Sequence, residues 1–260
     1  TVSRMLGLVR DVVLAFLFGA GDQMDAYNIA FRIPNLVRYL FAEGAMSAAF
    51  VPTFTRTLAL EGRQRAWRLG NLVVNALLLA TGVIAAAGMV FAEPLATAFA
   101  SAYAEVPGKL ELTVTLTRVM FPFLALVAVA TALMGMLNSL HRFFIPAVSP
   151  AMFNVGSIVC TLGLAPVMPM LGWPVIMAPA IGVLVGGFGQ MAVQWPSLRR
   201  EGYRYQPVLD LRDEGLRRVL ALMGPGVVGL AAVQINLFVN SILATGEGTS
   251  AVSALSYAFR

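Results

Sequence analysis

Charged side chains make up only 12% of this 260-residue chain, against 58% hydrophobic ones. A soluble domain carries about 25% charged residues, so the shortage excludes an ordinary soluble globule. The mean hydropathy of +0.79 agrees. Cysteine occurs once, at Cys160, which excludes an internal disulfide and any cysteine-rich metal site. Histidine also occurs once, at His141, so no histidine cluster can form. Lysine is nearly missing: of 18 basic residues, 17 are Arg and one is Lys109. No glycine-rich nucleotide loop, nucleophile triad or metal-ligand cluster is present. Catalysis, a resident cofactor or metal and ATP-driven transport are therefore not expected. A pI near 9.9 invites a nucleic-acid reading, but the basic residues lie in short loops between apolar segments rather than in one patch.

What is present is a succession of apolar runs, each near the roughly 20 residues needed to cross a bilayer. Their limits fall near 1–19, 23–53, 67–92, 111–138, 147–168, 174–198, 216–245 and 250–260, which gives seven spans and the start of an eighth. In lipid an open backbone has no partners, so the spans are predicted to be helices. The fold class expected is an all-α polytopic membrane protein. The chain opens on Thr1 within one apolar segment and closes on SALSYAFR within another, with no cleavable signal peptide. A fragment cut at both ends is expected.

The loops fix an orientation. Arg56, Arg63 and Arg65 fall in the loop at 54–67, His141 and Arg142 at 139–146, and Arg199, Arg200, Arg204 and Arg212 at 199–215. The alternate loops, including 93–110 with Glu93, Glu105 and Lys109, are poor in positive charge. Positive loops face the cytoplasm, and the N-terminus with them. The segment 199–215 suits an interfacial stretch as well as it suits a solvated linker. AYNIAFR at 26–32 resembles ALSYAFR at 254–260, six helices later. An even helix count keeps the same orientation, the signature of a parallel repeat in a two-lobed transporter.

Against this background, ionised residues inside the first two spans stand out. Each costs roughly 3 kcal/mol or more at bilayer depth and by default marks a substrate or ion pathway. At about 100° per residue, Ser3, Arg4, Gly7, Arg10 and Asp11 share one arc of the first helix. On the second, Asp25, Asn28, Arg32, Tyr39 and Glu43 share one side, with Asn35 and Arg38 at its edge. Pro34 is predicted to kink this helix, which would run about 45 Å. Salt bridges between helices, or snorkelling to the headgroups, account for Arg4 and Arg32 about as well as a cavity does. Snorkelling fits Arg10 poorly, because it sits further into its span. Four Arg face Asp11, Asp25 and Glu43 in these helices. The positive excess suits an anionic ligand, and planar guanidinium groups suit phosphates. Elsewhere Arg118 is expected to snorkel. Asn154, Gln234, Asn236 and Asn240 suit interhelical hydrogen bonds or cavity ligands, and Gly224-Pro225-Gly226 reads as a hinge.

SRMLGLVRD (3–11), FGAGDQMDAYNIAFRIPNLVRYLFAEGAMSAAFVP (18–52), FPF (121–123), LNSLHRFFIPAVSP (137–150) and MGPGVVG (223–229) together resemble the MurJ (MviN) family of lipid II flippases. This family is a branch of the multidrug/oligosaccharidyl-lipid/polysaccharide exporter superfamily. The resemblance covers essentially the whole chain. It implies a MurJ/MATE-like two-lobed bundle of fourteen helices. This chain would supply the N-terminal lobe (1–198), a cytoplasmic interlobe linker (199–215) and the start of the C-terminal lobe (216–260). It also implies that Arg4, Arg10, Arg38 and Arg260 grip a pyrophosphate-sugar headgroup, that Asp11 carries functional weight, and that Asp25 and Glu43 belong to the gating machinery; Asp11 and Asn35, beside these arginines on their helices, are counted with the substrate-binding set. Phe259 stands where the family often has Asp, so no acidic partner for Arg260 is implied. Asn236 or Asn240 alone could stand in for a sodium ligand, and no sodium site is assigned.

The function expected is flipping of undecaprenyl-pyrophosphate-linked peptidoglycan precursor, lipid II, across the bacterial plasma membrane by alternating access. Lipid II and membrane lipids are the expected partners, cell-wall synthesis proteins are further candidates, and the protein is expected to be a monomer. A polysaccharide-unit flippase or a drug/ion antiporter of the same superfamily is the nearest alternative. A non-transporting cell-wall scaffold is the alternative from another class.

Overall fold

The computed structural model describes residues 2–39, 44–246 and 252–254. Regular structure among these residues is helical, with no strand. In chain order the helices are α1 (Val2–Phe18), α2 (Asp22–Arg38), α3 (Gly44–Glu61), α4 (Arg63–Val90), α5 (Ala92–Phe99), α6 (Lys109–Met120), α7 (Phe123–Ser139), α8 (Phe144–Leu164), α9 (Met177–Arg200) and α10 (Glu214–Gly246). Short 3-10 turns cover Ser101–Glu105 and Met168–Leu171, and residues 252–254 are helical. Among the described residues four stretches, Arg63–Val90, Lys109–Ser139, Phe144–Leu164 and Met177–Arg200, are long and apolar enough to cross a membrane. Large apolar side chains such as Met5, Val12, Phe16, Val83 and Phe188 stay exposed on the helices. A bilayer satisfies such a surface and water does not.

Several boundaries differ from the sequence reading. The span expected over 23–53 is described as α2 and α3, with residues 40–43 between them outside the described residues. The loop expected at 54–67 is absent as such. Nothing after Pro52 breaks the helix, so α3 runs to Glu61, and the chain turns at Gly62 alone, at φ +85. Glycine takes this left-handed conformation without a Cβ penalty. The span expected over 111–138 divides at Phe121–Pro122 into α6 and α7, because proline removes a backbone donor. The expected loop at 93–110 carries α5, a 3-10 turn and the first residue of α6, Lys109, which is buried.

The core has two main masses. Phe50 and Phe54 of α3, Leu69 and Leu72 of α4, and Leu133 and Met136 of α7 form one, which also takes in Leu216, Val219 and Met223 from the start of α10. Tyr27 and Ala30 of α2, Leu116 and Met120 of α6, Phe123 of α7 and Val183 of α9 belong to the other. Helices α8 and α9 meet through glycine. A Cβ on Gly186 would lie 2.5 Å from the Phe153 carbonyl oxygen, and one on Gly156 would lie 2.8 Å from the Gly186 Cα. Such close contact replaces the hydrophobic driving force that lipid does not supply. Gly186→Ala should therefore destabilise the protein by about 1–3 kcal/mol. Gly163→Ala, where a new Cβ meets nothing within 4 Å, should not. Thermal melting in detergent compares the two directly.

The connection between α9 and α10 is a strap rather than a solvated linker. Tyr203 is buried between Trp67 and Trp195 and donates to Asn71 Oδ1 at 2.7 Å. Asn71 Nδ2 donates to the Arg204 carbonyl at 3.0 Å, and Asn75 Nδ2 donates to the Gln206 and Val208 carbonyls at 2.8 Å each. Two asparagines one turn apart on α4 thus hold an extended backbone. Glu201 accepts from Arg142 at 2.7 Å and pairs with Arg63 at 3.8 Å. Asp213 then caps α10, accepting from the Leu216 amide at 3.2 Å, and pairs with Arg65 at 2.8 Å.

Burial alone would push the Asp213 carboxyl up, but the Arg65 hydrogen bond and the Leu216 and Gly215 amides outweigh it and hold the group below the usual carboxylate range. A lowered folded-state pKa stabilises above the unfolded value and is lost as pH falls through the folded one. Asp213→Asn keeps the cap but loses the charge. The variant should melt below the wild type at pH 7, and the gap should close below about pH 4, the ordinary carboxylate range. Melting curves across pH check this.

Candidate functional site

A cavity of about 460 Å³ opens among α1, α2, α7, α8, α9 and α10. The charged stripe of α2 turns into it: Asn28, Arg32, Asn35 and Arg38 all line it, and α1 adds Ser3 and Arg10. Arg10 pairs with its neighbour Asp11 at 3.0 Å, and its guanidinium lies 5.5 Å from the centre of the Phe153 ring. Arg38 donates from Nε to Asn35 Oδ1 at 2.8 Å and sits 4.4 Å over the Tyr39 ring. These contacts hold two guanidinium planes in place before any ligand arrives. Phe31, Phe123 and Phe153 form an aromatic wall, with ring centres 5.3–6.4 Å apart.

A second wall is uncharged and polar. Ser149 Oγ donates to the Gln190 carbonyl at 3.0 Å. Gln194 Nε2 lies within 3.1 Å of the Ala130 carbonyl, the Gln190 carbonyl and Ser149 Oγ. Asn154 of α8 donates to the Ser3 carbonyl of α1 at 3.1 Å, an interhelical bond, and Gln234 of α10 lines the same space. The described lining residues include three Arg and no carboxylate. Such a chamber can grip a phosphate through paired N–H donors and offer amides to sugar or peptide. Its described lining contains no paired nucleophile and base. Among the described residues no group of three or more His, Cys, Asp or Glu could hold a metal ion.

The predicted residues separate. Arg10, Asn35 and Arg38 come together at the cavity, and Asp11 stands behind Arg10 as its ion-pair partner. Arg4 is exposed on α1 and does not line the cavity. Arg32, equally open to snorkelling in the sequence, does line it. Arg118 is exposed and donates to the Met89 carbonyl at 3.3 Å. Glu43, Arg260 and the side chain of Asn240 lie outside the described residues.

Asp25 is elsewhere, near the start of α2 and fully buried. Its Oδ2 lies 3.1 Å from Lys109 Nζ, which also reaches Asp22 at 2.7 Å. Its Oδ1 accepts from the amide and hydroxyl of Ser253, at 2.9 and 2.5 Å. Asn28 Nδ2 donates to the same hydroxyl at 3.3 Å. One carboxylate thereby ties α2 to α6 and to residues 252–254. The sequence alone places Lys109 in a loop and gives Gln190 and Gln194 no role. The signals were faint: a lone lysine among arginines, and two glutamines four apart in an apolar span.

Known proteins resemble this chain in sequence and fold. The lipid II flippase MurJ of Burkholderia cenocepacia is 35% identical over 263 residues, covering 100% of this chain and 50% of that protein. A probable lipid II flippase MurJ of Treponema pallidum is 34% identical over 268 residues, covering 100% and 49%. A solved structure, lipid II flippase MurJ in an inward closed conformation, matches with a TM-score of 0.79 at 26% identity, over 98% of this chain and 51% of that one. An inward-facing MATE family multidrug resistance transporter matches with a TM-score of 0.73 at 16% identity, over 99% and 57%, and shares the fold. The chain spans about half the length of the curated relatives it matches. A family model described as lipid II flippase MurJ matches residues 14–260, and this chain, a membrane protein of apolar helices, belongs to that family.

Proposed function

We propose that this chain is the substrate-gripping part of a lipid II flippase of the bacterial plasma membrane. Residues 1–198 form the first lobe, 199–215 the interlobe segment and 216–260 the start of the second lobe. The N-terminus faces the cytoplasm, as the arginine-rich loops require. The observation that carries the reading is the convergence of Arg10, Arg32 and Arg38 on one cavity that lacks acidic lining among the described residues.

In this orientation the cavity lies towards the cytoplasmic ends of α1, α2 and α9, where lipid II is made available. The guanidinium groups of Arg10, Arg32 and Arg38 bind the pyrophosphate, and family resemblance adds Arg4 and Arg260 to the set. Asn35 and Asp11 orient the arginines, and the amide wall faces the sugar and peptide. The undecaprenyl tail stays in lipid. Asp25, with Lys109 and Ser253, holds the opposite end closed, and Glu43 belongs to the gate on the cytoplasmic side. Release of the Asp25 contacts accompanies rocking of the lobes, and an ion gradient or the membrane potential drives the cycle. A cation antiporter would need an acidic cavity, and the described lining holds no carboxylate.

The test is complementation. The complete gene encoding this chain is expressed in a bacterium depleted of its own lipid II flippase. Restored growth and cell shape are expected, and absence of rescue by a protein that reaches the membrane would overturn the assignment.

A further inference from the structure

We propose that the outer face of α4, with the strap laid across it, binds one anionic phospholipid of the leaflet on the arginine-rich side. This site is separate from the cavity above and does not depend on what that cavity transports.

Two hollows share one stripe of α4. The first, about 660 Å³, lies between the start of α4 and the strap and includes Arg68 and Arg204 in its lining. The second is a shallow apolar groove of about 390 Å³, lined by Asn75, Leu79, Gly82 and Ala86 among others. At 100° per residue, Arg68, Asn75, Leu79, Gly82 and Ala86 all fall within a narrow arc of the helix. Asn75 joins the hollows, since it holds the strap carbonyls of Gln206 and Val208. The stripe therefore reads basic, then amide, then hydrocarbon, in the order of a phospholipid from phosphate to glycerol ester to acyl chain.

Charge and length agree with that occupant. Arg65 is engaged by Asp213 at 2.8 Å and Glu61 at 3.3 Å. Arg68 has only a loose contact with Asp210 at 3.8 Å, with both side chains about half exposed, and Arg204 makes no ion pair among the described residues. Two guanidinium groups are thus available to a phosphate. From Asn75 to Ala86 the helix rises about 16 Å, half of the roughly 30 Å hydrocarbon core. Gly82 deepens the groove, since a Cβ there would meet nothing within 4 Å. Exposed Tyr205, Val208 and Leu211 on the strap supply an interfacial rim. Basic pockets at the end of membrane helices are the usual recognition device for anionic headgroups. By holding the strap against α4, such a lipid would steady the connection between α9 and α10.

The experiment places a fluorophore at Leu79→Cys in a Cys160→Ser background and reconstitutes the full protein with brominated-chain lipids. Quenching by brominated phosphatidylglycerol should give an association constant about fivefold or more above that of brominated phosphatidylcholine, as two surface arginines favour the anionic headgroup. Arg68→Gln with Arg204→Gln should bring the ratio close to one. A label at Leu162→Cys, on exposed apolar surface of α8, should show no preference in either protein and reports that the fold is intact. Equal quenching by the two lipids at Leu79, or a preference that survives the double substitution, would overturn the proposal. So would an absence of quenching by both, which would mean that polypeptide covers this face.

Discussion

Arg10→Ala and Arg38→Ala should each abolish rescue of a flippase-depleted strain while leaving the protein folded in the membrane. Both side chains line the cavity, and each bonds to a neighbour on its own helix: Arg10 to Asp11, Arg38 to Asn35. Truncation removes a guanidinium donor that faces the cavity. A hydrogen bond to a charged partner contributes about 1.5–3 kcal/mol, so losing one such contact weakens headgroup binding by roughly 10- to 150-fold at about 1.4 kcal/mol per decade. Arg→Lys should rescue poorly, because an ammonium cannot present two parallel N–H donors to a phosphate. Asp11→Asn should be milder, since the amide still accepts from Arg10 through its oxygen. Growth assays, membrane levels and binding of an undecaprenyl pyrophosphate in detergent are the measurements. Rescue unaffected by either alanine variant would sink the arginine mechanism and leave the family assignment standing.

Lys109→Met should be the most destabilising single change at the far end of the bundle. Lys109 is 4% exposed and Asp25 is fully buried, and the two are 3.1 Å apart. Removing one member of a buried pair leaves a desolvated charge behind and costs about 3–5 kcal/mol. Asp25→Asn combined with Lys109→Met removes both charges and should recover much of that loss. If Asp25 also works as a gate contact to Ser253, the double variant should melt near the wild type yet fail to support growth. A single variant that melts like the wild type would show that the pair carries no stability. A double variant that is stable and fully active would remove the gating role.

The membrane fold was legible from residue counting. Seventeen arginines with one lysine, charge at 12% and recurrent apolar runs leave few architectures open. The 3.6-residue period put Arg10 on the polar arc of its helix and Asn35 and Arg38 at the edge of theirs, and all three line the cavity, because a side chain's direction on its own helix is a local property. The period did not distinguish Arg4 from Arg10, which lie on one arc of α1, although one is exposed and the other lines the cavity. Nor did it separate Arg32 from a snorkelling side chain. Which part of a polar arc meets a cavity depends on where the neighbouring helices stand.

The same physical limit explains the rest. Lys109 finds Asp25 across 84 residues, Ser253 finds it across 228, and Tyr203 finds Asn71 across 132. No local pattern encodes such distances. The strap was ambiguous because its composition suits either an interface or water, and only the asparagines of α4 decide between them. The glycines of α8 and α9 were visible as residues but not as a contact. By itself the sequence determined that the chain is a membrane helix bundle of a recognisable family with arginines on polar arcs of its first two helices. The tertiary structure alone decided which arginines share a chamber, which carboxylate is locked to a distant lysine and how the strap is held. Those outcomes rest on packing between distant segments, where desolvation makes each unpaired charge expensive and each good pairing specific.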